Sequence, residues 1–184
     1  LSRNKNAIEI LKNNQDKIHW RHLSSNENAI ELLKDNIDKI NWWQLSSNKN
    51  AIEILEQHQD KIQWEILSEN SNVIKLLENN LDNLDNIYWE KLSRNPNAIE
   101  LLKDNQDKID WDNLSSNPNA IELLKDNIDK INWIYLCKNQ NPNAIDLLKD
   151  NIDKINFLES IKYLYSCSML SRNPNAIELL KNNQ

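Results

Sequence analysis

Residues 92–111 read LSRNPNAIELLKDNQDKIDW, and with small changes this string recurs along the chain. A leucine opens each copy, at Leu1, Leu23, Leu45, Leu67, Leu92, Leu114, Leu136 and Leu170. Successive starts lie 22, 22, 22, 25, 22, 22 and 34 residues apart. Self-similarity at a fixed period marks a stacked repeat array and outranks any single-residue motif.

Within the copy that starts at Leu92, the pair Asn95-Pro96 signals a helix start. Proline disfavours the α conformation in the residue before it. It suits the first helical position itself, behind an asparagine cap. A cap at Asn97, with Glu100 closing a capping box, is the alternative two residues on. Ala98, Ile99, Leu101 and Leu102 supply an apolar stripe, and Glu100 and Lys103 sit one turn apart on the wet side. Asn105 is expected to end this helix in a left-handed conformation, since the chain contains no glycine and asparagine tolerates that region next best. Asn14, Asn36, Asn80, Asn127 and Asn151 share its position in the repeat. A second helix is expected to start around Asp107, capped by its carboxylate, and to run through Ile109 and Trp111 to about Leu114.

Two helices of two to three turns each could not stand alone in water, so stacking must stabilise them. The fold expected is all-α: an α-solenoid of stacked short helical hairpins, forming a single repeat array over residues 1–184. A leucine-rich-repeat horseshoe has a similar period. It is rejected because IELLKDN is rich in helix formers and poor in strand formers.

Composition narrows the function classes. The net charge is −6, which offers no basic surface to phosphate backbones. Charged residues make up 27%, with both signs alternating, as on a solvated face. No apolar run approaches the length of a membrane span, and no signal peptide is read at the first residue. The absence of glycine excludes glycine-rich phosphate loops, dinucleotide fingerprints and nucleophile elbows. Alanine occurs only at position 7 of the repeat (Ala7, Ala29, Ala51, Ala98, Ala120, Ala144, Ala176), with Val73 replacing it once. That restriction points to a close approach between neighbouring helices.

Six tryptophans fall at one position of the repeat, Trp20, Trp42, Trp64, Trp89, Trp111 and Trp133, followed by Phe157. They are expected to form a structural ladder, packed between the second helices of adjacent repeats and burying ~150–250 Å² each. The rival reading is an exposed aromatic ladder that stacks sugars or bases. Asn4, Asn6 and their equivalents are read as local caps, as rungs bonded from repeat to repeat, or as both. His19 and His22 lie one turn apart, after Asp16, at a spacing that could hold a metal. Other repeats do not keep these residues, so they are read as surface histidines. Cys137 and Cys167 are read as free thiols. No catalytic constellation emerges, and neither an enzyme nor a cofactor nor a metal is expected.

Two repeats depart from the pattern. Repeat four carries three extra residues within 78–89 and lacks the usual Asp-Lys-Ile. Repeat seven carries a loop extension in 137–143 and ten more residues after Phe157, LESIKYLYSC. Phe157, Ile161, Leu164 and Tyr165 keep a helical rhythm there. Ile161, Tyr163, Leu164, Tyr165 and Met169 are candidate interaction residues, because aromatic residues and methionine are enriched at interface cores. The alternative is that the longer helix covers a gap left by an altered stacking angle. No polar capping repeat stands at either end, so the 184 residues read as a window on a longer array.

At the level of LSxNPNAIELLKxNxDKIxW, clearest in 92–111 and 114–133, the chain resembles the short asparagine-rich repeats of uncharacterised giant-virus proteins. The abundance of Asn, Ile, Lys and Asp fits codons rich in A and T. The resemblance implies a viral origin, placement in the host cytoplasm or the virion, and a role in the particle or in contacts with the host. The expected function is a non-enzymatic helical scaffold for structural assembly or protein–protein interaction, with other protein chains or its own copies as partners. No membrane or nucleic-acid partner is expected. The alternatives are a peptide-recognition solenoid and a glycan or nucleic-acid binder that uses the tryptophans.

Overall fold

A computed structural model describes residues 1–78 and 86–151. Among these residues there are thirteen α-helices and no strand, so the chain is an all-α tandem-repeat solenoid. The chain divides into two compact units, residues 1–92 and 93–184.

In the first unit the leading helices of the repeats are α1 (Ile8–Lys12), α3 (Ile30–Lys34), α5 (Ile52–Gln57) and α7 (Val73–Glu78). The following helices are α2 (Trp20–Ser24), α4 (Trp42–Ser46), α6 (Trp64–Ser68) and α8 (Trp89–Ser93), the last ending at the unit boundary. Like packs on like: α2 lies on α4, α4 on α6, and α5 on α7. The second unit repeats the scheme with α9 (Ile99–Asp104), α10 (Trp111–Ser115), α11 (Ile121–Lys125), α12 (Trp133–Leu136) and α13 (Asn143–Asp150). Here α10 packs on α12 and α11 on α13.

The helices are shorter than expected, most of them five or six residues. Asn95 is the cap, as the Asn-Pro reading has it, and its side chain accepts from the Asn97 N–H at 3.1 Å. What it caps is a 3-10 turn, Pro96–Ala98, which hands over to α9 at Ala98. Ala98 sits at φ −90°, ψ 2°, and Ala120 at φ −89°, ψ 0°, both in the sparsely allowed bridge region just before the α-helix begins. Both are fully buried. Val73 takes the position once and is equally buried; the junction is closed in, which accounts for the small side chains found there.

The end of the leading helix differs from the expectation. Asn105 lies at φ −131°, ψ 49°, and no described residue has a positive φ. Instead the Asn105 side-chain amide donates back to the Leu101 carbonyl at 2.8 Å. Asn14, Asn36, Asn127 and Asn151 do the same to Ile10, Leu32, Leu123 and Leu147. A side-chain donor thus satisfies a carbonyl that the helix end leaves free. His58 takes this position once, its Nδ1 lying 2.9 Å from the Ile54 carbonyl oxygen, so the ring there carries its proton on Nδ1. Without a left-handed turn the repeat has no use for glycine.

The second helix also starts later than expected. Asp107 lies inside a 3-10 turn, Gln106–Lys108, and Ile109 follows in an extended conformation at φ −64°, ψ 129°. Asp110 is the true cap of α10, accepting from the Asn113 N–H at 2.8 Å. The break turns Ile109 into the core, as it does Ile18, Ile40, Ile62, Ile87 and Ile131, all buried. With the opening leucines and the paired apolar residues of the leading helices, these isoleucines make up the core of each unit.

The surface pairs match the sequence. Lys103 meets Glu100 at 2.8 Å, and Lys12–Glu9 and Lys125–Glu122 repeat that spacing. These pairs are exposed, so they contribute little to stability.

Candidate functional site

Buried polar groups are the first place to look for chemistry, and here stacking consumes them. Asn26, Asn48, Asn70, Asn117 and Asn139 hold position 4 of the repeat and are buried. Asn48 Nδ2 donates to the carbonyls of Ser24 and Asn26 in the preceding repeat, at 3.0 and 3.1 Å. Asn70, Asn117 and Asn139 do likewise to Ser46 and Asn48, Ser93 and Asn95, and Ser115 and Asn117. The Asn48 carbonyl accepts from the Ala51 N–H in its own repeat and from Asn70 in the next, which engages both lone pairs. A second, exposed ladder runs beside it: Asn28, Asn50 and Asn72 donate to the Lys5, Glu27 and Lys49 carbonyls. Local capping and repeat-to-repeat bonding, left as alternatives by the sequence, coexist in the same side chains.

The serines form a third series. Ser24 Oγ donates to the Trp20 carbonyl at 2.8 Å and accepts from the Asn41 N–H at 3.0 Å, so it ties one second helix to the next. Ser46, Ser68 and Ser115 make the same pair of bonds. The Tyr88 N–H reaches Ser68 Oγ at 3.2 Å although repeat four is longer. Cys137 replaces serine at this position; it is buried and free, and burial pushes its thiol up to about 11. Among the described residues no buried side-chain nitrogen or oxygen lacks a partner.

The tryptophan series is neither core nor open ladder. Trp20, Trp42, Trp64, Trp89, Trp111 and Trp133 are all half-buried. The break at the preceding isoleucine sends that residue fully inward and leaves one edge of each tryptophan accessible. Lysines of the following repeat cover two of the rings: Lys39 Nζ stands 4.9 Å from the Trp20 ring centre, and Lys130 Nζ 4.5 Å from that of Trp111. Trp42 instead meets the His58 ring, at 5.2 Å.

The histidine pair stacks, with His19 and His22 ring centres 4.2 Å apart. Arg3 Nε approaches His22 Nδ1 at 3.3 Å, and desolvation, then the Arg3 charge, hold the His22 pKa below its ordinary value. No group of three or more potential metal ligands exists among the described residues. The candidate interaction residues Ile161, Tyr163, Leu164, Tyr165 and Met169 lie outside the described residues, as do Phe157 and Cys167.

The exposed side chains tell a different story from the buried ones. Positions 19 and 21, either side of the recurring tryptophan, change from repeat to repeat. In the first unit position 21 is Arg21, Trp43, Glu65 and Glu90; in the second it is Asp112 and Ile134. Trp43 is 48% exposed and Ile134 57%, and Tyr88, at position 19, is 49% exposed. Trp43, Trp64 and Tyr88 line a cleft of about 460 Å³ in the first unit, with Glu65 and Asn86 on its walls. Reasoning from the sequence missed Trp43 and Tyr88 because it followed the residues that recur. The available signal was the opposite one, an aromatic residue where the repeat has none.

The fold defines the class: a tandem-repeat α-solenoid whose repeats are bonded through asparagine and serine side chains. Comparisons with protein-family models, curated proteins and solved structures found no match to this chain.

Proposed function

We propose that the chain is a non-enzymatic solenoid that binds other proteins along the variable rim formed by positions 19 and 21. The observation that carries this reading is the contrast between two sets of residues. Among the described residues, position 4 from the second repeat on, and position 2 apart from Cys137, spend their side chains on stacking; positions 19 and 21 vary along the chain and expose Trp43, Tyr88 and Ile134. Trp43 and Tyr88 join Trp64 along one cleft, an exposed apolar patch of the kind that marks interaction sites, and stacked repeats characteristically present extended binding surfaces. The resemblance of the repeat to those of giant-virus proteins supports a place in a viral particle or in contacts with host proteins, so the partner is a protein of the host cytoplasm or of the virion.

A displayed random-peptide library tests the reading. Panning against the folded chain should return a shared motif whose binding is lost in the variant Trp43→Ser/Ile134→Ser. Recovery of unrelated sequences, or a motif indifferent to both substitutions, would remove the rim as a recognition surface.

A further inference from the structure

The geometry points to the cleft between Trp43, Trp64 and Tyr88 as a site for the ammonium group of a lysine presented by an extended segment of a partner protein. This rests on the reading of the chain as a protein-binding solenoid and assigns one of its contacts.

Trp20 and Trp111 each receive the ammonium of a lysine nineteen residues on, Lys39 and Lys130. A cation over an indole face is attracted by the ring quadrupole, and tryptophan is the best such acceptor. The residue equivalent to those lysines for Trp64 lies twenty-two residues on, because repeat four is three residues longer. That residue is Asn86, which lines the cleft. The lysine at this position covers Trp20 and Trp111, whereas Trp42 meets His58 although Lys61 holds the position; repeat four keeps the tryptophan and has no lysine there to cover it.

The neighbouring substitutions all suit an incoming cation. Position 21 of the preceding repeat becomes Trp43 and position 19 of the following one becomes Tyr88, so two further rings flank Trp64. Trp43 and Tyr88 are each about half exposed, open to an incoming side chain. Glu65 adds a carboxylate, and no lysine or arginine lines the cleft. A volume of about 460 Å³ falls within the range of small-ligand sites and exceeds what one lysine head needs, leaving space for its stem and the backbone beside it. The net charge of −6 steers basic segments toward the chain. A phosphate or carboxylate ligand would meet Glu65 with no cation to offset it.

The test uses the whole chain and an extended peptide of alternating lysine and serine, with a twin carrying neutral citrulline in place of lysine. Affinity is read by quenching of tryptophan emission and by calorimetry. The lysine peptide should bind at least ten-fold tighter than its twin. Asn86→Lys restores the residue typical of the repeat, so it should fold as well as the wild type while placing its own ammonium over Trp64 and lowering affinity at least ten-fold. Gln57→Lys adds the same charge outside the cleft and should leave affinity within two-fold. Trp43→Ala should weaken binding about ten-fold, and Glu65→Gln about three-fold. The assignment is overturned if the citrulline twin binds equally well, or if Asn86→Lys and Gln57→Lys behave alike. In that case a panned motif that still depends on Trp43 but lacks lysine leaves the protein-binding reading standing, whereas loss of both removes it.

Discussion

The side-chain amide of Asn117 donates to the backbone carbonyl of Asn95, one repeat back, at 3.0 Å. The same nitrogen reaches the Ser93 carbonyl, also at 3.0 Å, while Oδ1 accepts from the Asn119 N–H. One buried side chain thus satisfies two backbone carbonyls of the preceding repeat and caps the start of its own. Serine is too short for this, glutamine one methylene too long, and aspartate lacks the donor. Helices of five residues do not hold in water by themselves; bonds of this kind, together with the leucine and isoleucine core, hold them in register.

Ala120 stands where a turn gives way to α11, fully buried. Ala120→Leu should cost about 1–3 kcal/mol, as overpacking does, measured by urea denaturation. A melt that overlays the wild type would show open space at that junction.

Trp111 is half-buried under the Lys130 ammonium, whereas Leu114 is fully buried. Leu114→Ala should therefore cost about 2–5 kcal/mol. Trp111→Ala should cost about 2–4 kcal/mol, since most of its larger surface is also removed from water. A Trp111→Ala melt that overlays the wild type would show that the ring adds nothing to the stack.

Cys137 has its pKa raised from 9.0 to about 11 by burial, so the folded chain holds the thiol proton more tightly than the unfolded chain does. The resulting stability is fully present below pH 9 and is lost as the pH rises toward 11, of order 2 kcal/mol at most. Cys137→Ser places the usual residue of this position there, should melt within about 1 kcal/mol of the wild type at pH 7, and should lack the cysteine's share of the alkaline loss. The comparison of the two stability–pH curves isolates that share, because every other titrating group is common to both.

Much of the fold was legible because the repeat is so regular. The 22-residue period, the Asn95 cap and the confinement of alanine each led to the structure found. The break before Trp111 was not legible: Asp107-Lys108-Ile109 carries nothing that forbids a continuous helix, yet Ile109 is extended and its side chain is buried. The closure at Asn105 was misread for a related reason. Asparagine suits a left-handed residue, but a donor side chain returning to the carbonyl four residues back does the same work without one. The rim was hidden by the very repetition that disclosed the fold, since Trp43, Tyr88 and Ile134 stand out only against the positions that do not vary.

The account rests most heavily on the buried asparagine amide, and the pair Asn117→Asp and Asn119→Asp tests it most directly. Both substitutions exchange an amide for a carboxylate of the same shape. Asn117 is buried against two carbonyls, while Asn119 is exposed and donates to the Pro96 carbonyl alone. In urea melts at pH 7, Asn117→Asp should lose about 3 kcal/mol or more, because a buried charge would face two unsatisfied acceptors. Asn119→Asp should lose less than about 1 kcal/mol. Equal losses, or an Asn117→Asp chain as stable as the wild type, would contradict the claim that these amides hold the stack together.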